Sequence, residues 1–398
     1  MKNNRTMPNL AAKAALAVHV LALGGLSTGV AHAQAEPAKA PPPVLESEVA
    51  TVTPLRPIKA HDLFIGQFDG GVRIIDGDTA KTLGQVYSSR YSNFALAPDN
   101  AFLYVAESYW ARGNRGPRED LLSVYSTGKL DLVAEIKLPG RLISDPKTHN
   151  FHLSADGHYG YVYNFQPASS VVVVDLQKRK VVESVEIPGC GQALPWGARG
   201  FAALCADGAM AVANVDAKGK YSVKRTDKFF DVDNDPIFDE SVIDRQTGEA
   251  FFLSYTGLIY PVKLGDTPQI GQPWSMQRAA GLAPATTKVG HETWRPSGSI
   301  LSTYHRASGR LFVLMHEGMH WDYAKPGSEV WVLDTKQQKL ITRLELPMAA
   351  GSIAVTQDAE PVLFAIGEGR LWVLNPDSGD VLRTTRLMGA SLVAVKDF

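Results

Sequence analysis

One motif recurs along the chain: an apolar strand, a polar turn that usually opens with Asp or Asn, and a second strand with alternating side chains. Seven copies align, with turns starting near residues 76, 126, 175, 214, 264, 334 and 375, mostly about 40–50 residues apart. VWVLDTKQQKLITRLEL (330–346) and LWVLNPDSGDVLRTTRL (371–387) are clear copies. Alternation of period two between turn residues is typical of paired β-strands.

A second pattern, a turn followed by a strand, precedes many of these motifs. Examples are LSADGHYGYVYN (153–164) and IDRQTGEAFFLSY (243–255), so each unit supplies about four strands. Four strands per repeat of this length are typical of a β-propeller blade, and blades packed in a ring bury the faces that a single blade would expose. The sequence therefore predicts an all-β fold: a seven-bladed β-propeller of four-stranded antiparallel blades over residues 59–398. The wide gap between the turns near 264 and 334 predicts an insertion of roughly 20 residues around 278–298.

The N terminus has the features of a secretory signal peptide. Residues 2–13 carry three basic side chains, residues 14–25 are apolar but too short to span a bilayer, and Ala31-His32-Ala33 is a small-x-small cleavage signal. We expect residues 1–33 to be removed and the mature protein to be periplasmic, with no membrane span. Residues 34–58, rich in Pro, Ala and charge, are predicted to form a flexible arm; an arm that lies on a partner subunit is the alternative.

The chain has two cysteines, Cys190 and Cys205. In an exported protein, an even pair at short separation predicts a disulfide bond. Two thiols alone cannot supply the four ligands of a structural zinc site.

Residues 316–320 read HEGMH, which matches the H-E-x-x-H motif of zinc proteases. That site needs both histidines on one face of a helix. Here a strand-like RLFVLM precedes the motif, Gly318 lies inside it, and the turn Lys325-Pro326-Gly327 follows it. We therefore predict a polar loop between two blade strands, with no metal site.

Other motifs give little support for chemistry within the chain. The acidic run DVDNDPIFDE (231–240) lacks the glycine and the terminal glutamate of an EF-hand and predicts a turn between strands. A net charge of −1 gives no reason to expect nucleic acid as a partner. The residues alone fit a scaffold or binding protein as well as a subunit of an enzyme.

Several segments resemble the heavy subunits of quinoprotein amine dehydrogenases, and especially the aromatic amine dehydrogenase branch. The similarity extends from about residue 60 to the C terminus. The segments that carry it are YWARGNRGPRED (109–120), GCGQALPWGARGFAALCADG (189–208), DNDPIF (233–238), FLSYTGLIY (252–260) and the run 294–336.

The resemblance implies a division of labour between two kinds of subunit. The heavy subunit of this family is a seven-bladed propeller without catalytic residues or a bound cofactor. A small, disulfide-rich light subunit carries the tryptophan tryptophylquinone, and two chains of each kind form an α2β2 enzyme. The enzyme oxidises a primary amine, either an aromatic amine or methylamine, to an aldehyde and ammonia. Its electron acceptor is a blue copper protein, azurin-like or amicyanin-like.

The resemblance also suggests two residues of a substrate channel. The family's loop rich in Arg and Gly lies over the active site of the light chain, and an aromatic residue there lines the channel. The matching residue in this chain is Trp110, with Tyr109 as the alternative. Packing of Trp110 on a blade rim is a competing interpretation, as is a non-enzymatic exported propeller that binds a ligand or a protein.

Overall fold

The computed structural model describes residues 54–143 and 145–396, and these residues are almost entirely β-strand. In this part of the chain there are 30 strands, one α-helix, Met276–Ala279, and one 3-10 helix, Thr148–Asn150. The strands form seven antiparallel sheets, each built from four strand positions. This arrangement confirms the predicted seven-bladed β-propeller.

Blades 1 to 4 each contain four strands, which are named below in order from the innermost to the outermost. Blade 1 consists of β30 (Ala390–Val395), β1 (Asp62–Gln67), β2 (Val72–Asp76) and β3 (Lys81–Val86). Blade 2 consists of β4 (Asn93–Leu96), β5 (Phe102–Arg112), β6 (Arg115–Ser126) and β7 (Leu132–Leu138). Blade 3 consists of β8 (Phe151–Leu153), β9 (Tyr159–Asn164), β10 (Ser170–Asp175) and β11 (Lys180–Glu186). Blade 4 consists of β12 (Cys190–Trp196), β13 (Gly200–Cys205), β14 (Met210–Val215) and β15 (Tyr221–Arg225).

Two of the remaining blades have an interrupted strand. Blade 5 consists of β16 (Val242–Asp244), β17 (Glu249–Leu253), β18 (Leu258–Lys263) and an outer strand split into β19 (Gln269–Ile270) and β20 (Trp274–Ser275). Blade 6 has a split inner strand, β21 (Thr293–Pro296) and β22 (Ser302–His305), followed by β23 (Arg310–Gly318), β24 (Gly327–Asp334) and β25 (Lys339–Ala350). Blade 7 consists of β26 (Ser352–Val355), β27 (Leu363–Gly367), β28 (Arg370–Leu374) and β29 (Val381–Arg386).

The ring is closed by the C-terminal strand. β30 pairs with β1, with Leu63 opposite Val395, so the last strand of the chain completes the first blade. Innermost strands of successive blades contact one another, for example β4 with β8 and β22 with β26. Closure in this way leaves only short outer edges unpaired.

The predicted turns coincide with the ends of the third strands. These strands end at Asp76, Ser126, Asp175, Val215, Lys263, Asp334 and Leu374. Each position lies within one residue of a turn inferred from the repeat. Asp and Asn favour such turns because their side chains bind nearby backbone N–H groups, as Asp334 does with those of Lys336 and Gln337.

The core lies between neighbouring blades, because both faces of each sheet are apolar. In β5, Leu103 and Val105 pack in a cluster with blade 1, whereas Tyr104 and Ala106 pack in a cluster with blade 3. Side chains of a strand alternate between its faces, so odd-numbered residues of β5 point toward blade 1 and even-numbered residues toward blade 3.

Antiparallel blades give the propeller two distinct ends. The turns between first and second strands and between third and fourth strands form one end, here called the opposite face. The connections between second and third strands, and those from one blade to the next, form the other end, here called the hairpin face. The predicted insertion lies on the hairpin face, where the short helix Met276–Ala279 and residues 280–292 connect blades 5 and 6.

The described part of the N-terminal arm, residues 54–58, is attached to the propeller. The Leu55 N–H donates to the Gly128 carbonyl at 2.7 Å, and Arg56 forms ion pairs with Asp62 and Asp76, both at 2.7 Å. The predicted signal peptide and the rest of the predicted arm lie outside the described residues.

The structure, over the residues it describes, contains no helix of the length and hydrophobicity needed to cross a membrane.

Candidate functional site

Large apolar side chains that are exposed fall into two groups. One group lies on outermost strands: Leu132, Val133, Val182, Val223, Ile341, Val381 and Leu382. The other lies on the hairpin face: Phe68, Tyr87, Tyr109, Phe165, Leu282, Val289, Met319, Trp321, Tyr323, Met348 and Met388. Within the described residues, no turn of the opposite face carries such a side chain, although Leu132 and Val381 begin outermost strands directly after two of those turns. Concentration of exposed apolar groups on one face marks that face as an interaction surface.

The most prominent element of the hairpin face is the hairpin formed by β5 and β6. These strands contain 11 and 12 residues, whereas β9 and β10, the equivalent strands of blade 3, contain 6 each. The innermost strand of blade 2 pairs only as far as Ala106. At about 3.3 Å per residue, the tip at Arg112 lies about 20 Å beyond that point. Gly113, with φ of +67°, allows the tight turn at the tip.

The buried carboxylate of Glu107 holds one side of the hairpin base. Only 1% of Glu107 is exposed. The carboxylate accepts hydrogen bonds from the Ser89 N–H at 2.8 Å, from the Tyr109 hydroxyl at 2.7 Å and from the Ser123 hydroxyl. Charge-assisted hydrogen bonds of this kind are stronger than neutral ones, so they fix the hairpin to the connection between blades 1 and 2.

Asp120 and Arg141 hold the other side of the base. Asp120 accepts from the Ser108 hydroxyl and pairs with Arg118 at 2.8 Å. Arg141, 3% exposed, donates to the Ser108 Oγ at 3.0 Å and to the Tyr91 carbonyl at 2.6 Å.

Burial lowers the pKa of Arg141 to about 10, against the opposing influence of Asp120 and Glu107. Its guanidinium therefore remains charged at neutral pH and balances the buried carboxylates. The base of the hairpin is thus a network of charged and polar groups that joins blade 2 to both inter-blade connections beside it.

Both residues suggested for a substrate channel lie where this hairpin leaves the sheet. Tyr109 is 43% exposed, and burial together with its hydrogen bond to Glu107 raises the pKa of its hydroxyl. Trp110 is half-buried and faces Arg118 across the hairpin. The alternation of β5 directs Tyr109 toward blade 1 and Trp110 toward blade 3. The two aromatic rings therefore line different sides of the hairpin.

The HEGMH segment lies on the same face and is not helical. β23 continues to Gly318, and a turn follows. The prediction that the segment is not helical is confirmed, but its first three residues extend the strand and do not lie in the predicted loop. His316 and His320 are both buried, and burial lowers the pKa of each imidazole. Backbone groups of Arg295, beside His316, and of Asn234, beside His320, oppose this lowering but do not reverse it. Among the same residues, no group of three or more His, Cys, Asp or Glu side chains is arranged to hold a metal ion.

The loop after this segment contributes an aromatic patch, defined by Phe238, Tyr255, Trp321 and Tyr323. The Tyr255 and Tyr323 rings stack with centroids 4.4 Å apart, and Phe238 lies 4.6 Å from Tyr255. Trp321 is 64% exposed. The sequence predicted only a polar loop at this point, so the patch was missed. The letters WDY were the available signal, but their aromatic neighbours come from a different blade.

The cysteines form the predicted disulfide. Cys190 and Cys205 lie opposite each other on β12 and β13, and their sulfur atoms are bonded. The acidic run 231–240 connects blades 4 and 5, as predicted for a turn between strands. Within it, the Asp235 carboxylate accepts from the Thr256 N–H at 2.8 Å and from the Ser254 hydroxyl at 2.8 Å, so its role is structural.

Below the hairpin face, the inner ring contains a polar cluster beside a cavity of about 80 Å³. Glu240 accepts from the Thr148 N–H at 2.7 Å, and burial raises its pKa to about 8. The His149 Nε2 lies 2.7 Å from the Ser241 carbonyl and must donate to it. The His149 Nδ1 therefore accepts from the His152 Nε2, 2.7 Å away.

Comparison with protein families gives one match over most of the chain. Residues 66–395 match the family described as methylamine dehydrogenase heavy chain (MADH). The methylamine dehydrogenase heavy chain of Methylorubrum extorquens is 29% identical over 398 residues, covering 96% of this chain and 92% of that protein. The heavy chain from Methylophilus methylotrophus is 28% identical over 298 residues, covering 75% of this chain and 72% of that protein.

Solved structures with low sequence identity share the fold. A functionally unknown protein from Desulfotomaculum acetoxidans matches with a TM-score of 0.59 at 12% identity, over 84% of this chain and 98% of that one. A putative 6-phosphogluconolactonase from Bacteroides fragilis matches with a TM-score of 0.56 at 11% identity, over 84% of this chain and 97% of that one. These similarities support the propeller architecture alone.

Proposed function

The chain belongs to the methylamine dehydrogenase heavy chain family, and on that premise we propose that it is the heavy subunit of a periplasmic quinoprotein amine dehydrogenase. The enzyme oxidises a primary amine to an aldehyde and ammonia. The tryptophan tryptophylquinone of a small, disulfide-rich light subunit supplies the oxidising chemistry. Two heavy and two light chains form the enzyme, and a blue copper protein receives the electrons.

The observation that carries this proposal is the unequal distribution of exposed apolar side chains. The aromatic patch, the long hairpin and the exposed side chains around them all lie on the hairpin face. A stable protein interface buries about 800 Å² on each partner and is rich in aromatic residues. The aromatic character of the hairpin face suits such an interface, so the light subunit docks there.

Residues of this chain also shape the route of the amine. Trp110 lines the substrate channel at the point where the hairpin leaves the sheet, and Tyr109 is the alternative. The hydroxyl of Tyr109 is held by Glu107, which fixes the position of the strand that presents Trp110. A rigid aromatic wall selects amines by size, because a bulky substrate loses contacts or clashes when the wall changes.

The chain supplies no catalytic group in this proposal, and its contribution is to bind and orient. The fit to a cofactor carried by another chain rests on the hairpin face, where apolar surface suits a protein partner better than a small ligand. Export to the periplasm rests on the features of residues 1–33. The curated relatives are methylamine dehydrogenase heavy chains, whereas the sequence motifs suggested aromatic amines, so tests of substrate include both classes.

Purification from the native host tests the proposed function. We expect this chain to co-purify with a small subunit that absorbs as a quinone. We also expect the absorbance to change when methylamine, tyramine or phenethylamine is added. A colourless chain that purifies alone and responds to none of these amines would support the alternative, a non-enzymatic exported binding propeller.

A further inference from the structure

The tip of the long hairpin places two arginines directly opposite each other. Arg112 on β5 and Arg115 on β6 are cross-strand partners flanking the turn Gly113-Asn114. Both side chains are exposed. Within the described part of the chain, neither side chain forms a hydrogen bond or an ion pair with another residue.

The other charges near the tip are already paired. Arg118 pairs with Asp120 at 2.8 Å, and Lys137 pairs with Glu119 at 3.2 Å. The tip therefore carries two uncompensated positive charges. Like charges directly opposite each other on antiparallel strands are destabilising, so this arrangement costs stability in the isolated chain.

The base of the hairpin is anchored to the propeller by buried groups. Glu107, Asp120 and Arg141 are buried and hydrogen-bonded on both sides of it. A preorganised element loses little conformational entropy when it docks. An unfavourable charge pair at the end of an anchored hairpin fits a partner that supplies the missing negative charge.

We propose that Arg112 and Arg115 form a clamp for one or more carboxylate side chains of an acidic segment on the light subunit. This inference rests on the proposed function, because it names the partner through it. Guanidinium groups have a planar fork of donors that matches a carboxylate, and two of them facing each other can bind one acidic side chain from both sides.

A second arginine pair provides an internal comparison. Arg370 and Arg386 are also cross-strand partners on the hairpin face, and both are exposed. Their strands, β28 and β29, contain 5 and 6 residues and do not project. This second pair also consists of two exposed arginines directly opposite each other on neighbouring strands, but it does not project from the propeller.

The test compares assembly of the complete enzyme with the variants R112Q/R115Q, R112K/R115K and R370Q/R386Q. Association of heavy and light subunits is measured by sedimentation over a range of NaCl concentrations. For R112Q/R115Q we expect association about tenfold weaker at low salt and a shallower dependence on salt. R112K/R115K keeps the charge but loses the planar guanidinium, so its association should be intermediate. R370Q/R386Q alters the same face without touching the projecting hairpin, so it should weaken association less than R112Q/R115Q does.

A second measurement separates the clamp from a merely structural role. Thermal unfolding of the isolated R112Q/R115Q chain should occur at the same or a slightly higher temperature, because the substitution removes a repulsion. Association of R112Q/R115Q equal to that of the unmodified chain would overturn the clamp, as would an equal loss in R370Q/R386Q. If the unmodified chain binds no quinone-bearing subunit at all, the proposed function fails, and the clamp fails with it.

Discussion

Tyr109 and Trp110 are neighbours in sequence, yet their side chains leave the projecting hairpin on opposite sides. Tyr109 points toward blade 1, where its hydroxyl binds Glu107 at 2.7 Å. Trp110 points toward blade 3 and lies across the hairpin from Arg118. A channel wall on one side of the hairpin can therefore use only one of these rings, which makes the two candidates separable by mutation.

Replacement of Trp110 by alanine tests the channel directly. We expect the ranking of kcat/KM among methylamine, tyramine and phenethylamine to change in the assembled enzyme, while assembly and unfolding temperature stay nearly unchanged. Tyr109→Ala is the comparison on the other side. If Trp110 only packs against the blade, Trp110→Ala loses a few kcal/mol of stability, about 3 for a buried aromatic, and slows all amines alike.

The second prediction concerns the buried cation at the hairpin base. Arg141→Leu removes the buried positive charge that faces Asp120 and Glu107, and it leaves the Ser108 hydroxyl oxygen and the Tyr91 carbonyl without the guanidinium donor. Removal of one partner from such a buried network typically costs about 3–5 kcal/mol. Urea unfolding should show this loss, whereas Arg179→Gln should not. Arg179 is an exposed arginine on the opposite face, with a positive φ of 53°. Glutamine adopts this backbone conformation in the same protein, because Gln338 has a φ of 54° in the equivalent turn of blade 6. An unchanged unfolding midpoint for Arg141→Leu would contradict this structural role.

Local features explain which parts of the fold could be predicted from the sequence. The turn after Asp334 was located correctly because the aspartate carboxylate binds the backbone of the next residues, a contact that short sequence determines. The length of β5 was not predicted. Glu107 and Ser108 end the apolar run of the strand, and polar residues at that point are typical of a loop.

What keeps this segment extended is not local. Arg141 reaches the hairpin base from 33 residues further along the chain, where it meets Ser108. The aromatic patch was missed for the same reason, since Tyr323 stacks on Tyr255 from another blade. Contacts of this kind follow from the packing of blades and have no signature within a short window of sequence.

The third prediction concerns the HEGMH segment. His316 lies within β23, which ends at Gly318, and His320 lies in the following turn. The two imidazoles are therefore not one helical turn apart, as zinc proteolysis requires. We expect Glu317→Gln to leave amine oxidation intact and the dialysed protein to contain no stoichiometric zinc by metal analysis. Zinc that is bound at one equivalent and lost on His316→Ala would refute this interpretation.

The fourth prediction concerns attachment of the N-terminal arm. Arg56 bridges Asp62 and Asp76, two buried carboxylates that would repel each other without it. Arg56→Ala should therefore lower the free energy of unfolding by roughly 3 kcal/mol. Arg56→Lys keeps the charge but not the planar guanidinium, so it should lower the free energy of unfolding less.

Arg56 holds the pKa of Asp76 below its usual value, despite burial. The stabilisation that this shift provides is present above the ordinary aspartate pKa and is lost as the pH falls through the lowered one, so the difference from Arg56→Ala should shrink in acid. A constant difference across that range would contradict the linkage.

The fifth prediction concerns acid sensitivity through His320. Burial, followed by the charge of Arg295, lowers the pKa of this imidazole in the folded state. Between the lowered value and the ordinary histidine pKa of about 6.5, the unfolded chain binds more protons, so stability decreases as the pH falls below about 6.5. Glu240 changes stability with pH in the opposite direction. Burial raises its pKa to about 8, so its stabilising contribution is lost as the pH rises from the ordinary glutamate pKa toward 8.

Since the two contributions oppose each other, the effect of the histidine must be isolated by mutation. His320→Phe suits the site because the ring lies among Tyr255 and Trp321. We expect its urea midpoint to exceed that of the unmodified chain at pH 5.5 and to approach it at pH 8. A difference of the same size at both pH values would mean that packing, rather than protonation, separates the two proteins.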